Sequence, residues 1–250
     1  MENGKITVDF SFSFLCMALP FFYSDEIKSG LKQFVLGEET SKHAVQVLRM
    51  QNGEQLSLTN GKGILFTTEI IDDNRKKCTV KILSEVAQPL KQKKITIAIS
   101  LIKNSTRFEW FLEKATEIGI AEIIPLLCSR TEKQHFRHDR MKNILISAML
   151  QSQQCWLPTL HEAIKFTGFV NQWANTQKFI AHCEESGKKS LQHQISTSAH
   201  QLICIGPEGD FTTDEIALAL QHQFVEVALG NTRLRTETAG VVAAALLCNH

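Results

Sequence analysis

Three charged side chains, Arg233, Arg235 and Glu237, fall within five residues, just before the run Ala239-Gly-Val-Val-Ala-Ala-Ala-Leu-Leu247. That run is almost all small or apolar, so a helix built from it is buried and closely packed. Charges at the mouth of such a helix need partners, because a stranded charge is costly. Two readings are open: a structural ion pair, such as Arg235 with Glu208 or Glu237, or a binding site for something polar.

Two glycine turns favour a site. Gly206-Pro-Glu-Gly209 follows the apolar run Gln201-Leu-Ile-Cys-Ile205, and Leu229-Gly230-Asn231 follows Phe224-Val-Glu-Val-Ala228. Each leads towards a helix; Thr212 with Glu215 fits a capping box at the start of the first. Strand, tight turn and helix, repeated, present bare backbone amides and carbonyls to a small molecule. Glycine lets the ligand approach the main chain closely. The G-x-G-x-x-G and G-x-x-x-x-G-K-[ST] signatures are absent, so NAD and ATP have no support. His135 and His138 lack a third ligand at helical spacing and read as a solvated loop, not a metal site. His43, His161, His182, His193, His200 and His222 have no partner at motif spacing. No G-x-S-x-G occurs, and no cysteine sits in a nucleophile context.

The elements that must hold these turns follow from periodicity. Ile95–Leu101 reads as a buried strand. Arg107–Gly119 reads as an amphipathic helix, with Phe108, Phe111, Leu112, Ala115 and Ile118 on one face and Gly119 as terminator. Glu122–Cys128 and Lys178–Cys183 read as strands, Met141–Cys155 as a helix, and 184–200 as a mobile polar loop. With the two strands before the glycine turns, this is a mostly parallel sheet with crossover helices.

The amino-terminal part is different. Glu38–Arg49 has helical spacing, with Thr40 or Ser41 as cap. Gln55–Thr59, Ile64–Ile71 and Lys77–Leu83 read as strands, the first two joined by the hairpin turn Asn60-Gly-Lys-Gly63. They imply a small antiparallel barrel whose edges need covering. Gln88–Lys94, with one proline and three lysines, reads as a linker. The expected organisation is an extension over 1–18, a barrel over 19–88, a linker over 89–94 and an α/β domain over 95–250.

Bulk properties fit a soluble chain of 250 residues, 43% hydrophobic and 21% charged, with net charge +1. Seven scattered cysteines without a C-x-x-C pair argue against disulfides and zinc, and for a reducing, cytoplasmic setting. No run is long enough to span a bilayer. Phe10–Tyr23 has the length of a signal-peptide core but lacks its basic flank and cleavage site; Met17 is the expected natural start. Residues 91–143 carry 11 basic and 6 acidic groups. That excess suits either a phosphate backbone or a solvated face.

Five ordered segments resemble the bacterial 16S ribosomal RNA uridine-N3 methyltransferases of the knotted SPOUT superfamily. They are His43-Ala-Val-Gln-Val-Leu-Arg49, Arg107-Phe-Glu-Trp-Phe-Leu-Glu-Lys-Ala-Thr-Glu-Ile-Gly119, Ile205-Gly-Pro-Glu-Gly209, Leu229-Gly230 and Leu234-Arg-Thr-Glu-Thr-Ala239. Pro125 and Ser129-Arg130 match a further short motif. The resemblance runs from about residue 20 to residue 248. It implies a PUA-like RNA-binding barrel followed by an α/β-knot domain threaded as a trefoil. It also implies an S-adenosylmethionine cofactor, a 16S rRNA substrate in the small ribosomal subunit and a homodimer.

On that resemblance the cofactor is held by Ile205, Gly206, Pro207, Gly209, Leu229, Gly230, Leu234, Thr236, Thr238 and Ala239. Arg235 favours the uridine anion or orients the base, Glu237 orients Arg235 or acts as base, and Glu208 is the alternative base. RNA is met by the barrel and by Lys103, Arg107, Arg130, Arg137 and Arg140. Three departures stand against the family pattern. Asp210 replaces a glycine, Asn231-Thr232 replaces Pro-Arg, and the helix motif ending in Gln151-Ser-Gln-Gln154 lacks an acid and an arginine. The rivals are a non-catalytic RNA-binding assembly factor and a same-fold methyltransferase acting on another RNA.

Overall fold

The computed structural model describes residues 19–90, 92–132, 135–174, 176–184, 187–196 and 200–249. The expected extension and the Met17 start lie outside the described residues.

The first layer is a five-stranded curled sheet. Its strands are β1 (Phe21–Tyr23), β2 (Gln33–Val35), β3 (Gln55–Thr59), β4 (Ile64–Asp72) and β5 (Thr79–Ala87), in the order β1-β3-β4-β5-β2. Alternation puts Leu56, Leu58, Phe66, Ile70 and Val80 into its core with Phe22, Ile27 and Leu36. Bulges between Thr67 and Thr68 and between Ile70 and Asp72 bend the long β4–β5 pair. The barrel is therefore a half-barrel, with β1 and β2 as its edges. These three-residue strands escaped the sequence reading, and β1 pairs with β3 in parallel, not antiparallel. They are too short to show alternation; their partners define them.

Helix α1 (Glu38–Lys42) runs into a π-helical turn at His43–Val47. Its cap is Gly37, not Thr40 or Ser41. Ser41 is drawn inwards instead, donating to Leu36 O at 3.1 Å and accepting from Cys78 N at 3.0 Å. The Asn60–Gly63 turn docks on the second layer. Gly63 N donates to Cys155 O at 2.8 Å, and Leu157 N to Gly61 O at 2.9 Å. Gly63 has φ +85°, and a Cβ there would lie 2.2 Å from the Trp156 ring. Only glycine fits.

The second layer holds β6 (Lys94–Ser100), α2 (Ser105–Ile118), β7 (Glu122–Leu127), α3 (His138–Gln151), β8 (Thr159–Leu160), β9 (Ile164–Lys165) and α4 (Phe166–Phe169). After these come β10 (Gln177–Ala181), β11 (Lys189–Ser190), β12 (His200–Ile205), α5 (Thr213–Gln221), β13 (Val225–Ala228) and α6 (Thr236–Cys248). Sheet order is β11-β13-β10-β12-β6-β7-β8, with β9 also on β7 and every pairing parallel. The central strands β6, β7 and β12 are buried on both faces, and most of their residues are apolar. Ile97, Ile99, Ile203 and Ile205 join one core with α2, α3 and α6; Ala98, Leu202 and Cys204 join the other with α4 and α5. Helix α6 returns to pack on α2 and central β6. There Gly240 lies so close that a Cβ would meet Phe111 at 2.6 Å and Ile99 at 2.9 Å.

Two expected ends are confirmed in detail. Gly119 closes α2 at φ 90°, and Thr212 with Glu215 forms the full capping box. The 184–200 segment is corrected: among its described residues β11 pairs with β13, and Leu191 is fully buried.

Candidate functional site

Three adjacent strands, β13, β10 and β12, deliver their carboxyl ends to one side of the sheet. The chain leaves each in a turn, and the three turns wall a cleft of about 780 Å³. Gly206-Pro207-Glu208 and Asp210 form one wall, Leu229 to Thr236 with Ala239 another, and Ala181-His182-Cys183 with Lys188 the third. Arg107 reaches in from α2. That volume suits one mid-sized organic ligand.

Local sequence shapes the walls. Gly206 packs under the Phe211 ring, where a Cβ would lie 3.0 Å away. Asp210 takes φ 66°, a left-handed conformation that glycine adopts freely and aspartate tolerates. It uses its side chain in return. Oδ2 accepts from Cys183 N at 2.7 Å and Oδ1 from Phe211 N at 2.9 Å, so the first wall is tied to the third. The departure from glycine at 210 thus adds a brace.

Sequence reasoning found two walls and missed the third. Buried His182 pairs through Nε2 with Glu226 Oε1 at 2.9 Å. Lys188 Nζ lies 3.4 Å from His182 Nδ1 and donates to the carbonyls of His182 and Glu184. The usable signal was position: His182 and Cys183 follow a strand whose neighbours both end in glycine turns. Burial first, then the Asp210 carboxylate, push the Cys183 thiol up, while Arg233 and Lys188 oppose them.

Of the expected cofactor residues, Ile205, Gly206, Pro207, Leu229, Gly230, Leu234, Thr236 and Ala239 line the cleft; Gly209 and Thr238 do not. Arg235 is the N-cap residue of α6, exposed on the cleft. Among the described residues it has no ion pair, with Glu208, Glu237 or any other acid. Glu208 is exposed and its Oε1 accepts from Lys103 N at 3.3 Å. Glu237 is buried and faces Arg107, not Arg235: Arg107 Nε lies 3.7 Å from Oε1, and Oε2 has no hydrogen-bond partner.

The five expected RNA contacts have different immediate partners. Lys103 pairs with Glu132 at 2.7 Å and Arg140 with Glu109 at 2.8 Å. Arg107 serves the cleft, Arg130 donates to Gly209 O at 2.7 Å, and Arg137 is exposed before α3. Gln154, in place of the family's arginine, donates to Thr116 O at 2.9 Å and Glu117 O at 3.0 Å, capping α2. That departure lies away from the cleft.

Among the described residues no group of three or more His, Cys, Asp or Glu side chains is set to hold a metal ion, and no helix is long and apolar enough to cross a membrane. The positive end of α6 opens beside Thr236, a fitting place for an anionic ligand group.

Comparison with known proteins gives two family matches: an RNA methyltransferase domain over residues 88–248 and an RNA methyltransferase PUA domain over 36–83. The chain is similar to ribosomal RNA small subunit methyltransferase E of Rickettsia conorii, at 28% identity over 88% of this chain and 92% of that protein. A probable rRNA-methyltransferase from Porphyromonas gingivalis superposes with TM-score 0.86 at 35% identity, covering 93% of this chain and 100% of that one. The Neisseria gonorrhoeae ribosomal RNA small subunit methyltransferase E, solved bound to S-adenosyl methionine, superposes with TM-score 0.82 at 27% identity, covering 91% and 95%.

Proposed function

The chain belongs to the RNA methyltransferase family, and from that premise we propose that it methylates N3 of a uridine in 16S ribosomal RNA, using S-adenosylmethionine. One observation carries the reading: the turns after three strand ends build a cleft of about 780 Å³ whose lining includes an arginine without an ion pair among the described residues, Arg235. A cytoplasmic homodimer completes it, its contact supplied by α6, where Val241, Val242, Ala245 and Leu246 are apolar and only half-buried. The division into an RNA-binding barrel over 19–88, a linker over 89–94 and a catalytic domain from 95 belongs to the same proposal.

The cleft suits this cofactor. Gly206 and Gly230 leave its walls open, Leu229, Leu234 and Ala239 offer apolar surface, and Arg233, Lys188, Glu208 and Asp210 are charged groups for its polar ends. When bound, the cofactor supplies an electrophilic methyl group on a sulfonium. The remaining tasks fall to this chain. The turns at Gly206–Glu208 and Leu229–Leu234 hold the ligand and exclude water from the reacting face. Uracil N3 carries a proton that must leave before its lone pair can attack. Arg235 stabilises the resulting negative charge on O2 and O4. The proton goes to a carboxylate, and Glu237 is the first candidate because its Oε2 accepts nothing within the protein. Glu208, exposed on the rim, is the alternative. RNA is held by the half-barrel, by Arg137 before α3, and by Arg233 and other cations round the cleft.

The test is to map ribosomal RNA from a strain lacking this protein by primer extension, since N3-methyluridine blocks pairing. The expected result is loss of one stop in the small-subunit RNA, restored by the wild-type chain and not by Arg235→Ala. An unchanged pattern of stops would reject the reading.

A further inference from the structure

The connection between β7 and α3 is fastened to the Gly206–Asp210 turn by a buried carboxylate and an arginine. Glu215, 5% exposed, is the fixed point. Its Oε1 accepts from Ser129 N at 2.8 Å and Ser129 Oγ at 3.1 Å. Its Oε2 accepts from Thr212 N at 2.9 Å and Thr212 Oγ1 at 3.2 Å. Both oxygens are therefore used, and two segments far apart in sequence are joined. The loop's base is pinned as well, with Ser100 Oγ and Thr131 Oγ1 2.8 Å apart.

Arg130, next to Ser129, reaches across the join. Its Nη1 donates to Gly209 O at 2.7 Å and to Phe211 O at 3.3 Å. Its Cδ would lie 3.4 Å from a Cβ at Gly209. A cation beside the amino end of α5 is unfavourable for the helix dipole. Its placement there makes sense through the turn: it holds two carbonyls of residues that do not line the cleft, next to residues that do. With these carbonyls held, Gly206, Pro207 and Glu208 present their other side to the ligand.

We infer that Arg130 is a positioning residue for the cofactor wall, acting through the Gly206–Asp210 turn, and not an RNA contact. The inference rests on the S-adenosylmethionine reading above. It assigns Arg130 to the cofactor and not to the RNA.

The experiment compares wild type, Arg130→Ala and Arg130→Lys. Cofactor affinity is measured by calorimetry without RNA, RNA affinity as a function of salt, and rates with cofactor varied. Losing a guanidinium that serves two carbonyls is expected to weaken cofactor binding on the order of tenfold in Arg130→Ala. The cofactor KM rises in parallel, while kcat at saturating cofactor stays within a few-fold. RNA affinity and its salt slope are unchanged. Lysine, with a single point donor, restores part of the loss. The inference is overturned if Arg130→Ala binds the cofactor as wild type does while its RNA salt slope drops by about one phosphate contact. It is equally overturned if only thermal stability falls. A wild-type protein that does not bind S-adenosylmethionine removes the reading beneath it instead.

Discussion

Arg107, in the first turn of α2, lies 3.7 Å from Glu237, in the first turn of α6, Nε to Oε1. The distance makes an ion pair and is too long for a hydrogen bond. The pair spans the α2–α6 contact at the edge of the cleft, with Arg107 41% exposed and Glu237 8%. One carboxylate oxygen is left without a donor. A buried acid so poorly served is a cost to the fold, and such costs gather where function needs them.

Glu237→Gln is therefore expected to separate stability from activity. Removing a buried charge with one distant partner should leave the melting temperature unchanged or raise it, because the desolvation cost goes with it. Methyl transfer should fall by roughly 10²–10⁴-fold, the range for loss of a general base. Thermal melts and single-turnover rates on the same preparation check both. A large fall in melting temperature with activity retained would make Glu237 a structural acid.

Gly240 offers the opposite case. A Cβ there would lie 2.6 Å from Phe111 and 2.9 Å from Ile99. Gly240→Ala must push α6 off α2 and β6, at a cost of about 1–3 kcal/mol for overpacking. For a chain of this size that lowers the melting temperature by about 2–4 °C per kcal/mol. An unaltered melt would mean that the α2–α6 contact is looser than these distances.

These residues mark what could be read from the chain. The two glycine turns, the capping box at Thr212 and the α2 stop at Gly119 are local events written in adjacent residues, and each is found where expected. His182 and Glu226 meet only because β13 and β10 are neighbours, a long-range pairing without a local signature. Strands of two or three residues, such as β1, β2, β8 and β11, are defined by their partners. The basic segment 91–143 was legible as charge, but charge alone does not say whether an arginine faces phosphate or a carbonyl. Arg130 and Arg140 turn to partners within the chain.

Cys183 reports on the cleft. It is exposed there, yet burial and the Asp210 carboxylate raise its thiol above the ordinary value. Alkylation should be slow at neutral pH and quicken about tenfold per unit as pH rises, because the thiolate is the nucleophile. Saturating S-adenosylmethionine should protect it. Cys204 and Cys128, the latter pushed up to about 12 mainly by burial, stay unlabelled in the folded protein. Peptide mass spectrometry reads each site. Equal labelling of Cys183 with and without cofactor would place the ligand elsewhere.

His200 predicts a pH dependence of stability. Its ring sits at the start of β12, with Nε2 3.1 Å from Thr96 Oγ1 and Nδ1 3.2 Å from Thr176 Oγ1. Burial first, and Lys94 second, hold its pKa below the ordinary 6.5, against an opposing pull from Glu122. On acidification the unfolded chain therefore takes up the proton before the folded one does. The contribution is fully present above the ordinary value and is lost as pH falls through the lowered one. Wild type should lose more stability between about pH 7.5 and 5.5 than His200→Gln, which keeps a polar side chain but cannot titrate. Denaturant midpoints across that window measure the difference. Parallel curves for the two proteins would show that this imidazole takes up its proton equally in the folded and unfolded chain, and that acid sensitivity arises at another group.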